Sequence, residues 1–438
     1  MRAQARSQPR VGLFGLLGSG NTGNDVSMET MLGFLRRAHP EAVVDAMSGG
    51  SEGLSLEYGI DAIPLYWYQR HERQASRSAA PVLKALGKCL DAARVPLWVR
   101  RHDVVIVPGA GALEATLPTR PWGFPYSLFL LSLSGKLLGA KVAFVSVGAN
   151  DIRSPATRWL SNQTARLAFY RSYRDSYSRD AMRARGVDTS KDPVCPDLAF
   201  GVPTPPYEVG DPVTVGVGVM DYYGGNDERG RSAEIHVEYI EKMTRFTQWL
   251  VDTGHQVRLF GGDTRFDVSV AERISTEMYR RRPDLEPGTV DVEPGASFSE
   301  LMRFLSPVGA VVATRYHNVI CALKLGKPVI ALGYSEKFVP LMAQMGLGDF
   351  VESATSFNAD VLIERFEELE KRRDELQQMM AGRNADKARA LDDQFRTLSR
   401  LLFSTGGDPS DAGTAKASQR GVGGGRRETR MRGARAES

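Results

Sequence analysis

The sequence predicts an α/β protein built from two doubly wound, Rossmann-like domains with a cleft between them. Three observations carry this. Short Val/Ile/Leu runs alternate with amphipathic segments along most of the chain. The runs are continuous rather than alternating apolar and polar, as expected of parallel strands covered by helices on both faces. The series is interrupted at Pro203-Thr204-Pro205-Pro206 and restarts at Val213, which places a linker between two copies of one pattern.

The elements follow in order. Val11–Leu17 reads as a buried strand and Ser27–Ala38 as the helix after it. Ala42–Ala46, Val104–Val107 and Val142–Val147 are the next strands. After the Pro-rich break come a strand at Val213–Val219, a helix at Ala233–Thr253, a strand at Gln256–Phe260 and a helix at Val268–Arg281. A strand at Val308–Ala313, a helix at Asn318–Leu325 and a strand at Pro328–Leu332 complete the series, and 359–403 reads as long charged helices. The expected organisation is a short disordered N-terminus (1–10), one domain over 11–205, a second over 206–403, and a basic tail over 404–438 too rich in Gly, Ser and Arg to order itself.

Residues 66–102 stand apart. Tyr66-Trp67-Tyr68 is followed by many Arg and Lys residues interleaved with Leu83, Leu86, Leu90, Val95, Leu97 and Trp98. Two readings apply: a solvated insertion helix packed on the first domain, or a basic amphipathic helix in peripheral contact with an anionic membrane surface.

Composition narrows the function. The net charge of +4 sits at the ends, three at each, which leaves the body at −2. A near-neutral body argues against nucleic acid as a partner. Cys89, Cys195 and Cys321 are scattered with no metal or disulfide spacing. The N-terminal arginines precede no apolar signal core, and the longest apolar stretch, around Phe124–Leu133, falls short of a membrane span. The expected setting is the cytoplasm, peripheral at the inner face of the membrane if 66–102 makes contact there.

Four motifs carry candidate chemistry. The loop from Gly15 to Asp25, with Gly20, Asn21 and Gly23, joins the first strand to the first helix. It lacks the Gly-Lys-Ser/Thr of a nucleotide-triphosphate loop, and Asp45 is the only acid supporting a dinucleotide fingerprint. It reads either as a loop whose amides hold an anion or as a tight turn. Gly109-Ala110-Gly111 ends a strand in the same way. Arg174, in Arg171–Ser178, is a candidate anion clamp or a surface ion pair. The sharpest motif is Thr314-Arg315-Tyr316-His317-Asn318, directly after a buried strand. Arg315 and His317 are two apart, so an extended backbone points both to one side. A fixed cation beside a proton-transfer group suits phosphate chemistry. Lys337, after the next strand, reaches toward the same cleft.

These pieces, in this order, resemble the polysaccharide pyruvyl transferase family over about residues 11–350. Gly20-Asn21-Thr22-Gly23-Asn24-Asp25 is similar to its N-terminal signature. Gly109-Ala110-Gly111 is similar to its second glycine loop, with Ala110 where glycine is usual. Arg174-Asp175-Ser176-Tyr177-Ser178, Pro196-Asp197-Leu198-Ala199-Phe200, Thr314-Arg315-Tyr316-His317 and Gly326-Lys327-Pro328-Val329-Ile330 resemble its later landmarks. The resemblance implies a fold similar to GT-B glycosyltransferases. It implies phosphoenolpyruvate as donor, no metal or other cofactor, and a cyclic pyruvate ketal formed on a cell-envelope glycan or glycolipid. His317 is then the expected acid/base and Arg315 the donor-site cation. Arg174 and Lys337 are supporting cations, and Gly20, Asn21 and Gly111 belong to the binding loops. Two other readings stay open: a nucleotide-sugar glycosyltransferase, for which Glu293, Glu300 or Glu336 would supply a nucleotide-binding acid, and a non-catalytic glycan- or partner-binding protein.

Overall fold

The computed structural model describes residues 8–70, 80–115, 121–206, 210–225, 230–263, 266–293, 295 and 297–404. The first sheet contains β1 (Arg10–Gly15), β2 (Val43–Ser48), β3 (Asp61–Pro64), β4 (Val104–Pro108), β5 (Lys141–Val147) and β6 (Tyr170–Tyr173). The second contains β7 (Asp211–Gly218), β8 (Gln256–Phe260), β9 (Val290–Val292), β10 (Val308–Ala313), β11 (Val329–Gly333) and β12 (Val351–Ser353). Every strand pairing is parallel. The orders are β3-β2-β1-β4-β5-β6 and β12-β11-β10-β7-β8-β9, so the second sheet repeats the winding of the first. Pro203–Pro206 lies between β6 and β7.

The continuous apolar runs have a simple cause. Along β4, Val104 and Ile106 enter one core while Val105 and Val107 enter the core on the opposite face. Along β5, Ala143 and Val145 divide from Val142 and Phe144 in the same way. A strand with a core on each face needs an apolar residue at every position. The four strands that the sequence pattern does not reveal are β3, β6, β9 and β12, the two edges of each sheet. They are three or four residues long and partly exposed, so they carry no such run.

Helices cover both faces: α1 (Thr22–Ala38), α2 (Ser51–Tyr58), α3 (Ala80–Val99), α4 (Phe124–Leu138), α5 (Pro155–Leu167) and α6 (Ser176–Ala184) around the first sheet, and α7 (Ser232–Asp252), α8 (Asp267–Arg281), α9 (Phe298–Leu305), α10 (Tyr316–Lys324) and α11 (Phe338–Gln344) around the second. The apolar stretch at Phe124 is α4. Within the 66–102 segment, α3 packs Val95, Trp98 and Val99 into the first sheet's core and leaves Val82, Leu86 and Leu97 exposed. Among the described residues no helix is long and apolar enough to cross a membrane. The basic tail beyond Ser404 lies outside the described residues, as do residues 1–7.

The charged C-terminal helices are α12 (Ala359–Lys371) and α13 (Arg373–Leu398), and α13 bonds to strands of the first sheet and to α10 beside the second. Its buried Gln394 accepts from Ser146 Oγ at 3.1 Å in β5 and donates to Ser172 Oγ at 2.9 Å in β6. Its Asn384 donates to the carbonyl of Leu323 in α10 at 2.8 Å.

Candidate active site in the cleft between the sheets

Chain segments that follow the carboxyl ends of β1, β4 and β6 in one sheet, and of β7, β8, β10 and β11 in the other, line a cavity of about 470 Å³. In both sheets the strand order reverses at a point bordering this cavity, between β1 and β4 and between β7 and β10. Crevices at such reversals are where doubly wound folds hold ligands.

The first glycine loop is organised by its own side chains. Asn21 caps α1, its side-chain oxygen accepting from the amides of Gly23 and Asn24 at 3.2 and 3.4 Å. The helix therefore starts at Thr22, five residues before the Ser27 start expected from apolar periodicity. The Asp25 carboxylate reaches back to the amides of Ser19 and Gly20 at 3.2 and 3.0 Å. Burial pushes the Asp25 carboxyl up to about 6, against these hydrogen bonds. Of the two readings of this loop, these bonds describe the tight turn: the four amides already have partners within the chain, and Gly20 does not line the cavity. Asn21 lines it, with its side-chain oxygen engaged as a cap. Thr22 ties the loop to the opposite sheet through Oγ1 to the carbonyl of Gly262 after β8, at 2.9 Å. Asp45 is bonded to Trp98 Nε1 and His102 Nε2, both at 2.9 Å, so it braces α3 instead of supporting a dinucleotide site.

The α10 start is arranged differently. β10 is buried throughout, and the chain leaves it at Thr314 to begin the helix with Arg315 as N-cap. No side chain caps this helix, and Arg315, Tyr316, His317 and Asn318 all line the cavity. An uncapped helix start presents amide N–H groups and partial positive charge to an anion.

Each cation near it has an acid. Arg315 grips Asp267 through Nε and Nη2, at 2.8 and 2.7 Å, and Asp267 is fully buried. The same carboxylate accepts from the amides of Asp221, Gly262 and Asp263 at 2.9, 3.0 and 3.0 Å. This fork fixes the guanidinium, and its Nη1 makes neither bond to Asp267. Arg174 is not a surface ion pair. It is buried, bonded to Glu114, and lies 3.5 Å from both Asp175 and Asp197. Burial disfavours its charge, but the carboxylates of Glu114, Asp197 and Asp175 outweigh burial and raise its pKa. Lys337 Nζ lies 3.4 Å from Glu114. Tyr316 fills the space between: the Arg174 guanidinium stands 4.6 Å from its ring centroid and Lys337 Nζ 5.2 Å. Burial pushes its phenol well above the usual range.

His317 Nε2 faces Asp197 at 3.7 Å, an ion-pair distance longer than a hydrogen bond. Burial raises the Asp197 carboxyl, but His317, Arg174 and the Ala199 amide outweigh it and hold it at about 2. The imidazole packs across Gly23 of α1, where a Cβ would run into Nδ1. The second glycine loop brings Ala110 and Gly111 to the cavity wall. Ala110 has φ of +56°, a left-handed conformation that favours glycine.

The sequence model of the polysaccharide pyruvyl transferase family matches residues 21–336. This chain belongs to that family. No curated sequence matches it. Among solved structures it is similar to the S. aureus MnaA–UDP co-structure, with TM-score 0.58, 12% identity, and coverage of 90% of this chain and 97% of that one. It is also similar to Neisseria meningitidis UDP-GlcNAc 2-epimerase bound to UDP-GlcNAc (0.54, 14%, 89% and 99%) and to the apo lipopolysaccharide outer core galactosyltransferase WaaB (0.53, 13%, 90% and 99%). The fold is GT-B, and the family is one of transferases in polysaccharide biosynthesis.

In this member of the pyruvyl transferase family, Arg315, His317, Arg174, Lys337, Asn21 and Gly111 come together at one cavity, and Gly20 stays outside it. Glu293, Glu300 and Glu336 do not line it. Glu300 instead completes a capping box with Ser297 at the start of α9. Sequence reasoning missed Glu114, Tyr222, Tyr223 and Tyr334, which do line it. Tyr222-Tyr223-Gly224-Gly225 follows β7 as the other loops follow their strands, a signal available in the sequence. Asn318 is fully buried with neither amide atom hydrogen-bonded among the described residues.

Proposed function

We propose that the protein transfers a pyruvyl group from phosphoenolpyruvate to two hydroxyls of a sugar in a cell-envelope glycan or glycolipid, closing a cyclic ketal. The observation that carries this is the uncapped start of α10, which opens into the cleft with Arg315 and His317 on its first turn. Phosphoenolpyruvate has a phosphate and a carboxylate. The α10 amides and Arg315 Nη1 suit one of them, and Lys337 with Arg174 suits the other. The family match from 21 to 336 supports the same reading.

The chemistry asks for a proton at C3 of the donor and removal of protons from the sugar hydroxyls. His317 is the candidate acid. Asp197 faces Nε2 at 3.7 Å as a counter-charge to the imidazolium, and the ring lines the cavity where the donor would sit. A positioned acid/base of this kind contributes about 10²–10⁴-fold. If His317→Ala keeps wild-type turnover, this role for His317 is wrong.

The acceptor side favours a membrane-proximal substrate. Val82, Leu86 and Leu97 lie exposed on α3, which also carries Lys84 and Lys88. Sedimentation with anionic vesicles tests this; absence of binding removes it.

Calorimetric titration of phosphoenolpyruvate into wild type and Arg315→Ala tests the donor. Binding by wild type that weakens at least tenfold in the variant, with the fold intact by circular dichroism, is the expected result. Uridine diphosphate binding in place of phosphoenolpyruvate would overturn the proposal in favour of a nucleotide-sugar transferase. Binding of neither, with or without a glycan, would favour a non-catalytic module.

A further inference from the structure

Two proton acceptors are needed if two hydroxyls are to add to one carbon, and His317 supplies one at most at any moment. Among the described residues that line the cavity, Glu114 is the one carboxylate. Its place is rigid. The Leu113 amide donates to the Gly148 carbonyl at 3.0 Å, the Glu114 amide to the Gly111 carbonyl at 3.0 Å, and the Ala115 amide to Asn150 Oδ1 at 2.9 Å. Gly148 leaves room for its side chain, since a Cβ there would run into Glu114 Oε1 and Arg174.

Its partners come from both sides of the cleft. Arg174 follows β6 of the first sheet and Lys337 follows β11 of the second, and Glu114 bridges them with its two oxygens. These are the two cations assigned above to the donor's second anionic group, the first being met by the α10 amides and Arg315. A donor anion and the Glu114 carboxylate therefore compete for the same charges.

Resting on the pyruvyl-transfer reading, we infer that Glu114 is the acceptor-side base of this enzyme, held in the free protein as an internal counter-ion that the donor displaces. Displacement turns the carboxylate toward the acceptor hydroxyl. As the first hydroxyl oxygen bonds C2 of phosphoenolpyruvate, its proton passes to Glu114, and the C2=C3 electron pair takes a proton from His317. When the C2–O bond to phosphate breaks, Glu114 returns its proton to the departing phosphate oxygen. The second hydroxyl oxygen then bonds C2 and its proton goes to His317. One pyruvate ketal and one hydrogen phosphate leave, and both side chains return to their starting states.

The test is Glu114→Gln, which keeps the shape and removes the charge. Calorimetry with phosphoenolpyruvate alone is expected to give binding about tenfold tighter than wild type, the size of one charge-assisted hydrogen bond released from competition. Unchanged or weaker binding overturns the inference. With methyl hexopyranosides as acceptor probes and phosphate release as the readout, kcat is expected to fall about 10²–10⁴-fold while the donor KM does not rise. The acid limb of the kcat–pH profile is expected to vanish in the variant. Glu114→Asp, which keeps a carboxylate set back by one methylene, should fall between the two. A Gln variant with kcat within threefold of wild type also sinks the idea, whatever its affinity. Failure of wild type to bind phosphoenolpyruvate would instead sink the donor assignment beneath it, so the two failures are distinguishable.

Discussion

The contact between α1 and α10 across the cleft gives a sharp test of how His317 is held. Gly23 is the second residue of α1, and a Cβ there would collide with Nδ1 and Cε1 of His317 and approach Cγ to 2.9 Å. Gly23→Ala would be helpful in an isolated helix, by at most ~1 kcal/mol. In this protein the methyl group has to push the imidazole aside. Displacement of a reacting group by ~1 Å costs on the order of 10²-fold in turnover. Gly33→Ala in the same helix is the control: its Cβ meets only the mobile tip of Arg37, at 3.2 Å from Nη1. It should gain ~0.8–1 kcal/mol in stability with unchanged activity. The assay is phosphate release from phosphoenolpyruvate with saturating acceptor, alongside thermal unfolding. Gly23→Ala is expected to lose about 10²-fold in kcat with little change in melting temperature. A variant that turns over like wild type would refute the claim that the Gly23 gap sets the ring, and with it the role given to His317.

Three further outcomes are expected. Gly148→Ala should separate Glu114 from Arg174, because its Cβ would lie 2.6 Å from Arg174 Nη2; breaking this buried pair should destabilise by about 3 kcal/mol, read in urea unfolding. Asp267→Asn turns a carboxylate that accepts three backbone amides and the Arg315 fork into a group with a single acceptor oxygen; a loss of about 3–5 kcal/mol and weakened phosphoenolpyruvate binding should follow. Asp25 gives a pH signature. Its folded pKa of about 6 lies above the unfolded value of 3.8, so the folded state binds the proton more tightly and gains stability as pH falls. Wild type should gain on Asp25→Asn by ~1 kcal/mol between pH 7.5 and 5, and by ~2 kcal/mol at pH 4. A difference that stays flat with pH would remove the burial argument for Asp25.

The donor site shows why cation-counting in a sequence overstates what is free to bind. Arg174, Arg315 and Lys337 read as three cations waiting for an anion. In the fold each meets a carboxylate, and those partners are 60, 48 and 223 residues away in the chain. The uncapped start of α10 becomes informative against that background, because α1 is capped by Asn21 and the richer glycine loop before it is tied down by Asp25.

What the sequence determined by itself is the set of elements whose cause is local. The central strands β1, β2, β4, β5, β7, β8, β10 and β11 were legible because a core on both faces favours near-continuous apolar runs. The junction at Thr314–Asn318 was legible because a buried run ending in Arg, His and Asn has few other uses. Edge strands β3, β6, β9 and β12 were not, since their short, half-exposed segments are strands only because a neighbour offers its backbone. Tertiary structure alone decided that Glu114 links Arg174 to Lys337, that Asp197 backs His317, and that Gly23 seats its ring. These contacts join segments from both sheets, and hydrophobic periodicity reports on a chain's own neighbours, never on what folds against it from two hundred residues away.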